Sequence, residues 1–305
     1  MADLPNDTNP PSHGFSGDDA KVVARSLLSE HGFREFDDPP SAVSEDEEVS
    51  KELNLAGLAD FDLGKKSLLR SVEVHIKHQT PLLPFAGDNS QAAEQYRIIR
   101  TKIVQHPRRP RVLVVSSAES GDGKSVTAVN VGGVIALNPE FNVLLCDVDL
   151  HRSSLAKYFD VPVKPGLADV LSGQAELKDV VVRIEPFPNL YFLPGGKSSR
   201  GPADLLNSRR WSSLVSALRR QFSFVVLDTP PAGALADFAL VQAAADGVVL
   251  VARQDHTNRM LWMRAVESVP AEKMIGVVMN CVKPWFLGRS GGYYQYYHYS
   301  KYYKR

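Results

Sequence analysis

Cysteine is scarce in this chain of 305 residues: there are two, Cys146 and Cys281. Each follows an apolar run, so both read as small core residues in a reducing compartment, and a disulfide framework is excluded. No apolar stretch approaches the roughly 20 residues that cross a bilayer, and no basic-then-apolar segment opens the chain. The chain therefore reads as soluble, with any membrane role left to a partner. Net charge is zero, which removes an overall pull towards nucleic acid. Acid is missing altogether from the last 23 residues, whereas residues 1–63 are rich in it, with Asp18, Asp19, Asp37, Asp38 and the run Glu45-Asp46-Glu47-Glu48. Strong periodicity is also missing from the first eighty residues. Residues 1–80 read as an acidic, largely disordered or loosely helical extension, with weak helical patches over 18–31 and 49–58.

What is present begins at Val112. The run Val112-Leu-Val-Val-Ser-Ser-Ala118-Glu-Ser120-Gly121-Asp122-Gly123-Lys124-Ser125-Val126-Thr127 reads as a strand, a phosphate-binding loop and the start of a helix. Gly121 and Gly123 let successive N–H groups converge on one point at the positive end of the helix. Lys124 can then reach the β and γ phosphates of a nucleotide, and the hydroxyl of Ser125 can ligate Mg²⁺. The strict pattern has glycine where this chain has Ala118; the end that touches phosphate is intact.

Beyond this loop the chain repeats strand, connection, helix. Strands are expected at 142–146, 190–193, 222–227, 247–252 and 274–280. This alternation predicts a three-layer α/β/α domain of the P-loop NTPase type with a mostly parallel sheet, its ligand at the carboxyl ends of the strands. Acids collect at those ends: Asp147 and Asp149 after the strand at 142–146, and Asp228, before Thr229-Pro230-Pro231, after the strand at 222–227. A buried acid needs a cation or donors for company, and three beside a phosphate loop suggest Mg²⁺ and phosphoryl transfer. Upstream, residues 90–105 predict a helix capped by Asn89 or Ser90, with Glu94, Arg97 and Arg100 at spacings of three on one face.

The set Ala118-x-x-x-x-Gly123-Lys124-Ser125, Leu144-Leu-Cys-Asp147-x-Asp149 and Phe224-Val-Val-Leu-Asp228-Thr-Pro-Pro231 resembles the Walker A, A′ and B motifs of bacterial tyrosine kinases, the BY-kinases of capsule and exopolysaccharide synthesis. Gly166-Leu-Ala-Asp-Val-Leu-Ser-Gly173 and the stretch from Leu193 to Leu206 are similar to that family too, and Glu94-x-x-Arg97-x-x-Arg100 to its oligomerisation motif. The tail from Tyr293 to Tyr303 holds seven of the ten tyrosines, Tyr293, Tyr294, Tyr296, Tyr297, Tyr299, Tyr302 and Tyr303. BY-kinases carry such clusters as autophosphorylation sites.

The resemblance implies a P-loop kinase domain over 81–284 and a Tyr-rich tail over 285–305. It implies ATP held by the loop from Ser120 through Gly121, Asp122, Gly123, Lys124 and Ser125 to Val126, with Asn280 at the adenine. Ser125, Asp147 and Asp228 would serve Mg²⁺, and Asp149 would accept the tyrosine proton. His151 departs from the family, which usually has arginine there. Implied partners are further copies of the chain in a ring, a separate membrane-bound activator of the polysaccharide co-polymerase type and a cognate tyrosine phosphatase, but no nucleic acid; the place is the cytoplasm, at the inner face of the membrane. Two rivals stand beside this reading: a partitioning ATPase of the MinD/ParA kind, whose signature lysine is replaced here by Ser120, and a nucleotide-binding regulator without catalysis.

Overall fold

In a computed structural model of the chain, the described residues are 69–73, 82–84, 91–197, 200–233 and 236–282. The weak helical patches of the acidic extension, the Asn89/Ser90 cap and the tyrosine tail lie outside them.

Four short apolar runs build the middle of the sheet: β2 (Val112–Ser117), β3 (Val143–Asp147), β6 (Phe224–Asp228) and β7 (Gly247–Arg253). Apart from exposed Arg253, every residue of these strands is buried, the continuous apolar pattern of strands covered on both faces. With β1 (Ser71–Glu73), β4 (Val182–Glu185), β5 (Leu190–Leu193) and β8 (Met274–Asn280) they form one eight-stranded sheet in the order β1-β4-β5-β3-β6-β2-β7-β8. All pairings are parallel except β4 with β5. The expected strands are therefore present, and the mostly parallel sheet with them. β1 and β4, together at one end of the sheet, did not stand out in the sequence: β1 has only three residues, and β4 alternates in burial instead of forming a continuous apolar run.

Helices cover both faces. On one side lie α1 (Gln91–Val104), α2 (Lys124–Ala136) and α3 (Ala156–Phe159); on the other α4 (Leu167–Leu171), α5 (Leu177–Val180), α6 (Pro202–Leu206), α7 (Arg209–Gln221), α8 (Ala236–Ala244) and α9 (Arg259–Glu267). Each side has its own apolar cluster, the first around Leu113, Leu145, Ile135 and Phe192, the second around Leu144, Leu227, Trp211 and Leu250. Helix α2 is buried from Thr127 to Ala136. Gly132 lets it press on β3, where a Cβ would collide with the side chain of Leu145. α7 keeps its amphipathic face, burying Trp211, Leu214, Val215 and Leu218 at helical spacing, and Ser208 caps it by accepting from the Trp211 amide at 3.3 Å.

One expectation fails. Cys146 is buried in β3, but Cys281 is exposed. The apolar run before it is the edge strand β8, whose Val277 and Met279 are themselves about half exposed, at 51% and 52%, so its end reaches solvent rather than the core.

A remote carboxylate fixes where β2 starts. Asp246 accepts from the Arg111 and Val112 amides (2.9 and 2.8 Å) and from Arg219 Nη1 at 2.6 Å. Burial works to raise its pKa, but Arg219 and the two amides outweigh it and hold the carboxyl below its ordinary 3.8. Asp246→Ala should cost about 1–2 kcal/mol, lowering the melting temperature by roughly 2–8 °C near neutral pH. Because the folded-state pKa is depressed, this contribution is present above about pH 4 and is lost as pH falls through the lower folded-state value. Melting curves of wild type and variant should therefore converge in acid; a gap that stays constant would refute the assignment.

Candidate active site

The site is assembled at the carboxyl ends of β2, β3, β6 and β8. β2 opens into the loop 118–123, and the helix it feeds begins at Lys124. Gly121 and Gly123 both take positive φ, 95° and 94°, the left-handed backbone that only glycine adopts without strain. The second glycine also answers to packing, since a Cβ at Gly123 would collide with the amide of Asn280.

β3 and β6 are paired in register so that Asp147 lies directly beside Asp228, and both are fully buried. Two acids side by side without water repel each other, and the neighbours show how this is met. Lys124 Nζ donates to Asp149 Oδ2 at 3.0 Å and to Asp228 Oδ1 at 3.5 Å. Asp147 Oδ2 accepts from Ser153 Oγ (2.8 Å) and from the Ser154 and Leu155 amides (2.8 and 3.0 Å). Burial raises the pKa of Asp147 against these bonds. Burial likewise pushes Asp228 up to about 7, with Lys124 opposing and Asp147 adding to the rise. For Lys124 burial favours the neutral amine, but Asp228 and Asp149 win and its pKa ends above the usual value, so it stays charged.

The residues present fit a magnesium nucleotide. Asp147 Oδ1 and Asp228 Oδ2 are buried with no hydrogen-bond partner, the condition of oxygens that face a cation or its water shell. Ser125 Oγ stands 3.4 Å from Lys124 Nζ and 3.2 Å from Ser154 Oγ, between the lysine and the Asp147 loop. The loop beside them, with its two positive-φ glycines at the start of α2, has the backbone suited to receiving a phosphate.

Lys124, Ser125, Asp147, Asp149 and Asp228 thus come together. Asn280 joins them from β8, its Nδ2 donating to the Asp122 carbonyl at 2.9 Å. Glu94, Arg97 and Arg100 do not belong to this cluster. They lie on α1, where Arg97 pairs with Glu94 at 2.9 Å and Arg100 Nη1 donates to the Val134 carbonyl of α2 at 3.4 Å. His151, the departure from the family pattern, has a partner of its own: Nε2 lies 3.0 Å from Oδ2 of buried Asp237 on α8. Sequence reasoning missed Ser153, Ser154 and Asp237. The two serines follow Asp149 closely enough to have been read as donors to the acids; Asp237 had no local signal.

Comparison with known proteins resolves what kind of phosphate chemistry this is. A family profile described as an AAA domain matches residues 110–260. The tyrosine-protein kinase CpsD of Streptococcus agalactiae is 30% identical over 192 residues, which are 62% of this chain and 83% of that protein. The chain belongs to the bacterial tyrosine-kinase family. Solved structures agree: the chimerical protein CapA2B2 superposes with a TM-score of 0.63 at 26% identity, covering 72% of this chain and 97% of that one. The kinase domain of VpsO superposes with a TM-score of 0.56 at 26% identity, covering 63% and 95%. As a bacterial tyrosine kinase, the chain is a protein-tyrosine kinase built on the P-loop scaffold described above.

Proposed function

We propose that the chain is an ATP-dependent tyrosine autokinase that phosphorylates its own tail between subunits. The observation that carries this is the convergence of Lys124, Asp147, Asp149 and Asp228 on the phosphate loop. The supply of tyrosines supports the choice of acceptor. The three outside the tail are Tyr96, Tyr158 and Tyr191. Tyr191 is fully buried, and Tyr96 and Tyr158 pack against the core on the α1 and α2 side. None of these stands on the acid-free segment that carries the seven tail tyrosines. The ten residues from Lys283 to Tyr293 can span at most about 35 Å, enough to reach an adjoining subunit.

In this reading Ser125 and Asp147 would hold Mg²⁺, with Asp228 behind its water shell, and the ion would supply charge neutralisation for the phosphates of ATP. The amides of residues 120–126 would bind those phosphates, and Asn280 would contact the adenine. Lys124 leaves Asp149 for the phosphates, and this frees the carboxylate to take the tyrosine proton as the phenolic oxygen bonds to the γ phosphorus and the bond to ADP breaks. Because the transition state is loose, placement and charge neutralisation dominate, and a modest base is sufficient.

We further assign residues 81–284 to the kinase domain and residues 285–305 to the substrate tail. Glu94, Arg97 and Arg100 of α1, of which Glu94 is exposed and the two arginines are half-buried, would contact a neighbouring subunit in a homo-oligomer. No helix among the described residues is long and apolar enough to cross a membrane. We assign recruitment to the inner face of the membrane to a separate activator of the co-polymerase type, and removal of phosphate to a cognate phosphatase. The pathway is control of exopolysaccharide or capsule chain length.

The test is direct. Purified protein incubated with Mg·ATP, with and without the cytoplasmic segment of the activator, should gain phosphotyrosine, and peptide mapping should place it between Tyr293 and Tyr303. No phosphotyrosine under either condition would end the kinase reading. On size exclusion the phosphorylated form should elute later than the unphosphorylated one, since added tail charge disfavours assembly; identical elution would remove the oligomer switch.

A further inference from the structure

The end of β7 and its connection to α9, residues 253–258, play no part in the chemistry above, yet they are fastened to the phosphate loop residue by residue. The Asn258 amide donates to Glu119 Oε1 at 2.6 Å, His256 Nε2 lies 3.3 Å from the Ser120 carbonyl, Arg253 Nη1 donates to the Gly121 carbonyl at 3.2 Å, and Thr257 Oγ1 donates to Asp122 Oδ1 at 2.6 Å. Four consecutive loop residues are thus held by one neighbouring segment. We propose that this segment is a latch that presets the phosphate loop for polyphosphate, with Asp122 and Thr257 as positioning residues for Mg·ATP binding.

The physical case centres on Asp122. It is fully buried, and a buried carboxylate persists only when donors replace its lost water. One oxygen takes the Thr257 hydroxyl; the other takes the Glu119 amide at 3.1 Å. Its own carbonyl accepts from Asn280, so the residue is tied both to the β7 side and to the end of β8. The hydroxyl of Thr257 has little freedom to do otherwise, because it also accepts from the Arg253 amide at 2.7 Å and must direct its proton to Asp122. On either side of Asp122 stand Gly121 and Gly123, the two positive-φ glycines of the loop. Glycine lets the loop adopt this shape but also lets it leave. The latch restricts the alternatives, so less ordering remains to be done when phosphate binds. Glu119, Asp122 and His256 bring potential ligand atoms within 4.8 Å of one another, but each already has a partner in the latch, which argues for a brace rather than a second metal site.

The inference rests on reading 118–125 as the phosphate site, and the experiment separates the two. Affinity for Mg²⁺ with a non-hydrolysable ATP analogue is measured by calorimetry on the full chain. Thr257→Val removes the hydroxyl while keeping shape, and should weaken binding about tenfold, or about 1.4 kcal/mol. Thr257→Ser keeps the hydroxyl and should stay within about twofold of wild type. Asp122→Ala, which also frees the Glu119 amide, should lose at least as much as Thr257→Val, and adding Thr257→Val to it should cost little further, because the two share the Thr257–Asp122 contact. In the kinase assay Thr257→Val should raise KM for ATP with kcat nearly unchanged, since no group at the reacting atoms is touched. If Asp122→Ala does not fold, the serine and valine pair at the half-buried Thr257 still decides. Wild type that binds analogue while Thr257→Val binds equally well overturns the latch alone. Wild type that binds no analogue overturns the phosphate-site reading, and the latch with it.

Discussion

Lys124→Met should lose phosphotyrosine formation by about two to three orders of magnitude, the loss seen when one preorganised donor is taken from a site where charge is stabilised. The lysine has two duties that the variant removes together. In the nucleotide-free protein it is the cation between Asp149 and Asp228, at 3.0 and 3.5 Å, and its charge opposes the rise in the pKa of Asp228. With it gone, Asp147, Asp149 and Asp228 present a group of acids to an anionic nucleotide, and ATP affinity falls along with the rate. Methionine keeps the apolar stem, so packing at the start of α2 is preserved. Asp228 then meets the missing cation by keeping its proton to a higher pH, which limits the cost to stability. Arginine is not a substitute here, because its planar fork does not reproduce a compact ammonium set among three carboxylates and a phosphate. Phosphorylation within tenfold of wild type in Lys124→Met would show that this lysine is not at the phosphates.

Replacing the seven tail tyrosines, Tyr293, Tyr294, Tyr296, Tyr297, Tyr299, Tyr302 and Tyr303, with phenylalanine should remove nearly all incorporated phosphate while leaving affinity for Mg·ATP within about twofold of wild type. The reason is steric as well as chemical. An acceptor must bring its hydroxyl to within about 3.5 Å of the γ phosphorus in line with the leaving oxygen. Tyr191 cannot, being fully buried. For Tyr96 and Tyr158 burial also raises the phenol pKa, which makes their protons harder to remove. Phosphate persisting on Tyr96, Tyr158 or Tyr191 in this variant would mean that the tail is not the principal substrate.

Much of this molecule could be read in its sequence because its signals are local. The phosphate loop is contiguous, and buried parallel strands write themselves as short apolar runs; β2, β3, β6 and β7 follow the sequence reading to within two residues at each end. Asp147 and Asp228 stood out because each terminates such a run, although their direct pairing appears only once β3 and β6 are set side by side. What escaped is non-local or short. Strand β4 has four residues, and its alternating burial differs from the continuous pattern of the strands around it. Thr257 meets Asp122 across 135 residues of chain, and His151 finds Asp237 on a helix that carries no motif. Cys281 was misread for a related reason: an apolar run implies a core only when neighbours cover it, and β8 is the sheet's edge.

The most direct test of the central claim separates the kinase from its substrate. Lys124→Met protein, which has a tail but no working site, is mixed with a second protein that has the site but ends before Tyr293, and Mg·ATP is added with the activator segment. Neither protein alone should yield phosphotyrosine, and the mixture should yield it on the Lys124→Met chains, within the seven tail tyrosines. A mixture that stays unphosphorylated while wild type labels itself would contradict phosphorylation between subunits.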